Sequence, residues 1–173
     1  MRLVSVLGGL ALLAVISLSS ASSVIGQTNS RYTVLEEREL EKIVPTSFYF
    51  AGQSAPTQMR NSAAARLGRD RYVIVGMVDT SGYSAEISGK YEGFFITDSP
   101  INIGNRALNS GAYGFGFTKQ GTIRIFELNA KQLLSVPAPA DRRMERARPL
   151  QILAVRNGVR LYHGRNFVLI TAR

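Results

Sequence analysis

Apolar residues recur along this chain in short runs, and most of these runs are separated by turn-forming residues. The run from Arg71 to Asp79 (RYVIVGMVD) is apolar on both faces, which predicts a strand in the middle of a sheet. From Ala112 to Thr118 aromatic residues alternate with glycines, and a second run covers residues 122–128. The intervening turn contains Gly121, so these two runs predict a β-hairpin.

A second hairpin is predicted near the C-terminus, where Asn157-Gly158 separates Leu150–Arg156 from Val159–Tyr162. Further strands are predicted at Ser47–Phe50, Tyr91–Asp98 and Phe167–Thr171. Six to eight strands at this short spacing predict a mainly β fold, either an antiparallel β-sandwich or a small barrel.

Helical pattern is limited to the first part of the chain. Residues 33–44 are rich in helix formers, with Thr33 as the expected N-cap and Pro45 ending the helix. A second, weaker helical turn is predicted within Gln58–Leu67, and Ala51–Thr57 is predicted to be a loop. The fold class therefore includes one or two short helices near the N-terminus.

The first residues have the pattern of a secretory signal peptide. Arg2 is followed by an uncharged, almost wholly apolar stretch from Leu3 to Leu18, and small residues follow at positions 19–23. The apolar stretch is short for a transmembrane helix, which needs about 20 apolar residues. An uncleaved N-terminal anchor is the alternative interpretation.

Small residues allow cleavage after Ala21, Ser23 or Gly26. We take the cut after Gly26, which makes residues 1–26 the signal peptide and residues 27–173 a single β-rich domain without a transmembrane span. The expected location is the periplasm or the outside of the cell. A domain of this length can bury a sizeable core without disulfides.

Composition narrows the chemistry that the chain can perform. There is no cysteine, which excludes a lipid on an N-terminal cysteine, zinc-thiolate sites and thiol nucleophiles. The net charge of +9 favours anionic partners. For an exported protein, an anionic envelope polymer or a lipid surface is a more suitable partner than nucleic acid.

No catalytic set, metal site or cofactor motif is evident in the sequence. His163 is the only histidine, and a lone histidine cannot build a histidine-based metal site. The carboxylates Glu86, Glu92 and Asp98 could act as a pair in glycoside hydrolysis if two of them faced one cleft. We treat a carboxylate hydrolase as the third hypothesis, and the chain as more suited to binding than to catalysis.

Two groups of residues are candidates for ligand contact. The aromatic row Tyr113, Phe115 and Phe117 could line a pocket or form a platform, although the inner face of a sandwich is the simpler interpretation. An irregular basic loop is predicted over residues 129–149, and it contains DRRMERAR. Its candidate contacts with an anionic surface are Arg142, Arg143, Arg146 and Arg148, and a solvated loop is the alternative.

Three runs resemble a group of uncharacterised exported bacterial proteins: Phe48–Pro56, Val78–Tyr83 and Tyr162–Asn166. The resemblance implies no activity and no functional residues. The local pattern Leu108–Tyr113 is similar to the strand-entry turn of many secreted β-sandwich proteins, which supports the fold class only.

Three functional hypotheses follow. The first is an exported, non-enzymatic binding or structural domain of the cell envelope. The second is a carrier of a small apolar ligand in a β-barrel cavity, and the third is the hydrolase. The cavity of the second hypothesis would be lined by Tyr72, Phe95, Phe115, Phe117 and Phe126.

Overall fold

The computed structural model describes residues 31–173, and this part of the chain forms thirteen β-strands and two short α-helices. The predicted signal peptide and its cleavage sites lie outside the described residues. The strands are β1 Tyr32–Val34, β2 Ser47–Phe50, β3 Gln53–Leu67, β4 Tyr72–Val78, β5 Gly93–Thr97, β6 Ile101–Ile103, β7 Arg106–Leu108, β8 Gly111–Thr118, β9 Thr122–Phe126, β10 Gln132–Pro137, β11 Arg148–Val155, β12 Gly158–Gly164 and β13 Asn166–Ala172. The helices are α1 Glu37–Ile43 and α2 Ala85–Ser88.

The strands form two antiparallel sheets. The large sheet has eight strands in the order β1-β3-β4-β5-β8-β9-β10, with β2 paired to β3, and the small sheet has the order β11-β12-β13-β6-β7. The predicted fold class is confirmed as a mainly β, antiparallel two-sheet structure, and the sheets do not close into a barrel. There are more strands than the six to eight expected, because segments as short as β6 and β7 also pair.

The main core lies between the two sheets. It is built from alternate residues of each strand, since successive side chains of a strand point to opposite faces. The large sheet contributes Val73, Val75, Phe95, Phe115, Ile123 and Ile125, and the small sheet contributes Ile101, Ile103, Val159, Leu161, Val168 and Ile170. This arrangement is that of a β-sandwich.

A second hydrophobic cluster covers the outer face of the large sheet. The β2–β3 hairpin folds back over β8, so that the ring of Phe50 stacks on Tyr91 with centroids 3.9 Å apart. Phe48 stacks in the same way on Phe94, at 5.0 Å. A Cβ at Gly114 would lie 2.3 Å from the Phe50 ring, so glycine at this position allows the β2–β3 hairpin to pack closely on the sheet.

The predicted hairpins are present, with one change of register. Gly121 has φ of 74°, as its predicted turn position requires. In the C-terminal hairpin the two turn residues are Arg156 and Asn157, because Val155 already pairs with Gly158. Gly158 is instead a strand residue on which a Cβ would meet the carbonyl oxygen of Ile170.

The weak helical turn predicted within residues 58–67 is wrong, because these residues are part of β3. Alanine favours helices in isolation, but Ala63, Ala64 and Ala65 are buried between neighbouring strands. Tertiary packing therefore overrides the local propensity. The expected loop at 51–57 is a tight turn at Ala51-Gly52, where both residues have positive φ, and β3 begins at the next residue.

The N-terminal helix is shorter than predicted. Thr33 lies in β1, and α1 begins after Glu36, which forms a capping box with Glu39. The second helix, α2, lies in the middle of the chain and not near the N-terminus. The predicted irregular stretch 129–149 also contains strand, because β10 covers Gln132–Pro137 and β11 begins at Arg148.

Candidate functional site: the arginine face of the small sheet

Positive charge is concentrated in the last 33 residues. Asp141–Arg173 contains eight arginines, no lysine and two carboxylates, Asp141 and Glu145, which is a net charge of +6. Residues 31–140 contain twelve basic and ten acidic residues, which is a net charge of only +2. Most of the basic character therefore belongs to β11, β12, β13 and the segment that precedes them.

The outer face of the small sheet is built by alternation along these three strands. Val159 and Leu161 point into the core, so Arg160 and Tyr162 point outward. Register pairs Arg160 with Leu153 of β11 on one side and with Leu169 of β13 on the other. Two residues further along β12, Tyr162 pairs with Gln151 of β11 and with Phe167 of β13, and these three residues form a second row on the same face.

Residues 138–147, which we call the crossing segment, lie over one end of this outer face. The segment is fixed by Asp141, whose Oδ2 accepts a hydrogen bond from the Tyr162 hydroxyl at 2.9 Å. Arg160 Nη1 lies 3.4 Å from the same oxygen, and the Arg143 N–H donates to Oδ1 at 3.0 Å. The Arg143 and Tyr162 hydrogen bonds lower the pKa of Asp141, whereas burial raises the pKa of Tyr162.

Further contacts hold the crossing segment along its length. The Gln151 side-chain amide lies 3.1 Å from the Met144 sulfur, and Arg165 Nε donates to the Met144 carbonyl oxygen at 3.1 Å. Ala140 forms a β-bridge with Asn166. The segment is therefore attached to the small sheet through side-chain and backbone contacts, while Arg142, Arg143, Arg146 and Arg148 stay exposed to solvent.

Two adjacent grooves lie on this outer face, one beside the crossing segment and the other beside the β11–β12 turn. One, of about 410 Å³, is lined by Arg142, Arg143, Arg160 and Phe167 among others. The other, of about 280 Å³, shares Arg160 and Phe167 and adds Arg156. The Arg160 guanidinium lies over the Phe167 ring, 4.4 Å from its centroid.

We call Arg142, Arg143, Arg156 and Arg160 the arginine face. Within residues 31–173, Arg142 and Arg156 have no ion-pair partner, and both are exposed. Their guanidinium groups are thus available to an anionic ligand, which arginine can bind through two parallel hydrogen bonds.

The arginines predicted from the sequence divide between two positions. Arg142 and Arg143 belong to the arginine face, whereas Arg146 and Arg148 are exposed and line neither groove. Sequence reasoning missed Arg156 and Arg160, which lie in the C-terminal hairpin. The alternation of apolar and polar residues in β12 could have identified Arg160, because it places this residue on the face away from the core residues Val159 and Leu161.

The aromatic row of β8 does not form an exposed platform. Phe115 is fully buried in the core, and Tyr113 and Phe117 pack against the same core while partly buried. The Tyr113 hydroxyl donates to the Asn109 carbonyl oxygen at 3.1 Å. The row therefore belongs to the inner face of the sandwich, which was the simpler interpretation of its sequence.

His163, Glu92 and Phe117 meet at the end of the sandwich near the β8–β9 turn. The His163 ring stacks on Phe117 at 4.9 Å, and its Nε2 lies 3.6 Å from Glu92 Oε1. The other Glu92 oxygen accepts a 2.7 Å hydrogen bond from the Phe117 N–H. A cleft of about 410 Å³ beside them is also lined by Lys119 and Arg124.

The three carboxylates considered for hydrolysis have separate partners. Glu86 forms an exposed ion pair with Lys90 at 3.0 Å, and Asp98 accepts a hydrogen bond from the Tyr72 N–H. Glu92 precedes β5 and Asp98 follows it. Because a strand rises about 3.3 Å per residue, a separation of six residues places them about 20 Å apart. Glycosidases need a separation of about 5–10 Å, so this pair cannot act together.

The described part of the chain holds no cluster of three or more histidine or carboxylate side chains that could bind a metal ion. None of the helices within residues 31–173 is long and apolar enough to cross a membrane. The barrel cavity of the carrier hypothesis is not formed, because the sheets stay open, and Phe95, Phe115 and Phe126 are buried in the two clusters.

Comparison with known proteins identified no relative of this chain. No protein-family model matches the sequence, and no curated protein and no solved structure shows significant similarity to it. This result agrees with the expectation that the resemblance seen in the sequence brings no assigned activity. Bacterial origin and export remain predictions from the sequence.

Proposed function

We propose that the protein is an exported, non-enzymatic binding domain that contacts an anionic component of the cell envelope through the arginine face. The observation that carries the proposal is the placement of Arg142, Arg143, Arg156 and Arg160 around two adjacent grooves. Export is supported by the charge, apolar core and small residues of positions 2–23.

The local structure is suited to binding because the backbone that carries two of the arginines is held in place. Asp141 links the crossing segment to Tyr162 and Arg160, which orders the backbone that carries Arg142 and Arg143. A ligand that binds side chains of an ordered segment does not have to order the backbone as well, so binding costs less conformational entropy than on a mobile loop. The net charge of +6 in this part of the chain also attracts polyanions over a distance.

The test measures binding of residues 27–173 to a polyanion, such as heparin or polyphosphate, over a range of salt concentrations. Affinity should fall as salt rises, because exposed charges are screened. The variant Arg142→Gln/Arg143→Gln/Arg156→Gln should lose about tenfold or more in affinity, the equivalent of about 1.4 kcal/mol.

A matched control removes the same charge elsewhere. Arg38, Arg60 and Arg69 are exposed and belong to α1, β3 and the β3–β4 turn. The triple Gln variant of these residues should bind almost as well as the unchanged protein. Equal losses in the two triple variants, or binding that does not depend on salt, would contradict the proposal.

A further inference from the structure

The part of the small sheet's outer face that the crossing segment leaves open combines arginine with aliphatic side chains, of which Leu153 is exposed and Val155 and Leu169 are half-buried. In register across the strands, Leu153, Arg160 and Leu169 form one row. Leu153 is 42% exposed, and Val155 lies two residues further along the same face. Strand spacing of about 4.8 Å places neighbouring side chains of this row in contact range.

Leu153 differs in its surroundings from the other exposed large apolar residues. The others belong to α1, to strands of the large sheet and to the turn after β9: Ile43, Tyr49, Met59, Leu128 and Leu133. Leu153 lies next to the arginine face, on strand β11, where Arg160 is its cross-strand neighbour. An exposed leucine beside the arginine face gives one surface both an apolar and a cationic component.

These two components suit one kind of anionic partner. A hydrophilic polyanion would bind the arginines, but Leu153 would add nothing to its affinity. At a lipid surface, an apolar side chain can enter the boundary between headgroups and acyl chains while arginines contact the phosphates. The aliphatic stem of an arginine can also lie along apolar surface while its guanidinium stays in the polar layer.

We infer that the open part of this face binds the surface of a bilayer that contains anionic lipids. In this mode Arg142, Arg143, Arg156 and Arg160 contact lipid phosphates, and Leu153 inserts at the headgroup boundary. The inference rests on the proposed function, since it names the component that the arginine face contacts. Binding is peripheral, because only side chains of the sheet's outer face enter the lipid.

The experiment measures co-sedimentation of residues 27–173 with vesicles. This part of the chain contains the described residues of both hydrophobic clusters, so it is expected to fold by itself, and circular dichroism checks each variant. One set of vesicles is pure phosphatidylcholine, and the other contains about one third phosphatidylglycerol. Binding to heparin is measured in parallel with the same proteins.

The key variant is Leu153→Ser, and Leu133→Ser on β10 is its matched control, because Leu133 is 44% exposed. Leu153→Ser should weaken binding to the phosphatidylglycerol vesicles about fivefold, as expected for partial burial of one leucine side chain. Binding to heparin should not change. Leu133→Ser should change neither, and phosphatidylcholine vesicles should bind weakly or not at all.

The outcomes separate the two proposals. Binding to heparin without binding to phosphatidylglycerol vesicles overturns the lipid inference and leaves the proposed function in place, with a soluble polymer as the partner. Vesicle binding that Leu153→Ser and Leu133→Ser weaken equally also overturns the inference. Absence of binding to both vesicles and heparin overturns the proposed function itself.

Discussion

The two sheets of the sandwich share an inner core but have very different outer faces. The outer face of the large sheet is covered by Phe48, Phe50, Tyr83 and Tyr91, which come from the β2–β3 hairpin and the segment around α2. The outer face of the small sheet is covered only at one end, by the crossing segment, and its open part carries Arg160 and Leu153.

The difference follows from the side chains that each face presents. The outward residues of the large sheet include Phe94 and Phe126, which would expose large apolar areas to water without a cover. Arg160 can leave its charged end in water, so the small sheet has no comparable need for one. The small sheet therefore keeps part of its outer face open, whereas the covered face of the large sheet serves stability.

The largest expected effect on stability comes from removing the central ring of the aromatic cluster that covers the outer face of the large sheet, which we call the cover. Phe50 is fully buried and stacks on Tyr91, so Phe50→Ala should lower the free energy of unfolding by about 3–5 kcal/mol, measured by urea denaturation. Tyr49 on the same strand is 57% exposed, and Tyr49→Ala should change stability by about 0.5 kcal/mol or less. A loss in Phe50→Ala as small as that expected for Tyr49→Ala would show that this aromatic cluster does not stabilise the large sheet.

Filling the space beneath the cover should have an intermediate effect. In Gly114→Ala the new methyl group would collide with the Phe50 ring, so the cover must shift, and we expect a loss of about 1–3 kcal/mol in the free energy of unfolding. Gly82 has open space where its Cβ would be, so Gly82→Ala is the control and should be nearly neutral. A neutral Gly114→Ala would mean that the hairpin does not pack closely on β8.

Acid should loosen the crossing segment, and this is the smallest effect. The pKa of Asp141 is lowered by its hydrogen bonds, so its contribution is complete above the ordinary carboxyl pKa of about 3.9. This contribution is lost as the pH falls through the lowered value. The NMR signals of the Arg143 amide and the Tyr162 ring should therefore shift only below about pH 4.

Asp141→Asn is the control for this titration. Since it has no carboxylate to protonate, its Arg143 and Tyr162 signals should show no transition in the acid range. Native-like signals of the unchanged protein that also persist at the lowest pH would show that Asp141 does not hold the segment. In that case the ordering of Arg142 and Arg143 would need another source.

Several features of the fold could be predicted because they depend on local pattern. Alternation in β8 and the turn at Gly121 placed one hairpin correctly, and the apolar run of β4 indicated a central strand. The alanines of β3 misled the prediction because their helix propensity is a local property, while their burial between strands is not. The role of Gly158 was misjudged for the same reason, since its close neighbour is Ile170 of another strand.

The candidate site was only partly predictable. Arg142 and Arg143 stand out as a charged pair, but Arg160 lies in an ordinary alternating strand. Its proximity to them depends on Asp141, which bonds Tyr162 and Arg160 some twenty residues away in the chain. No local pattern could reveal this contact, because it forms only when the crossing segment lies over β12.

Three properties can be recognised in the chain before its structure is known: the mainly β class, the lack of cysteine and the concentration of arginine in the last 33 residues. These properties follow from composition and from the two-residue period of strands, which need no knowledge of distant contacts. Local pattern does not show which sheet face is covered or which arginines share a groove. Those outcomes depend on how two sheets and the crossing segment pack, and packing joins residues that are far apart in sequence.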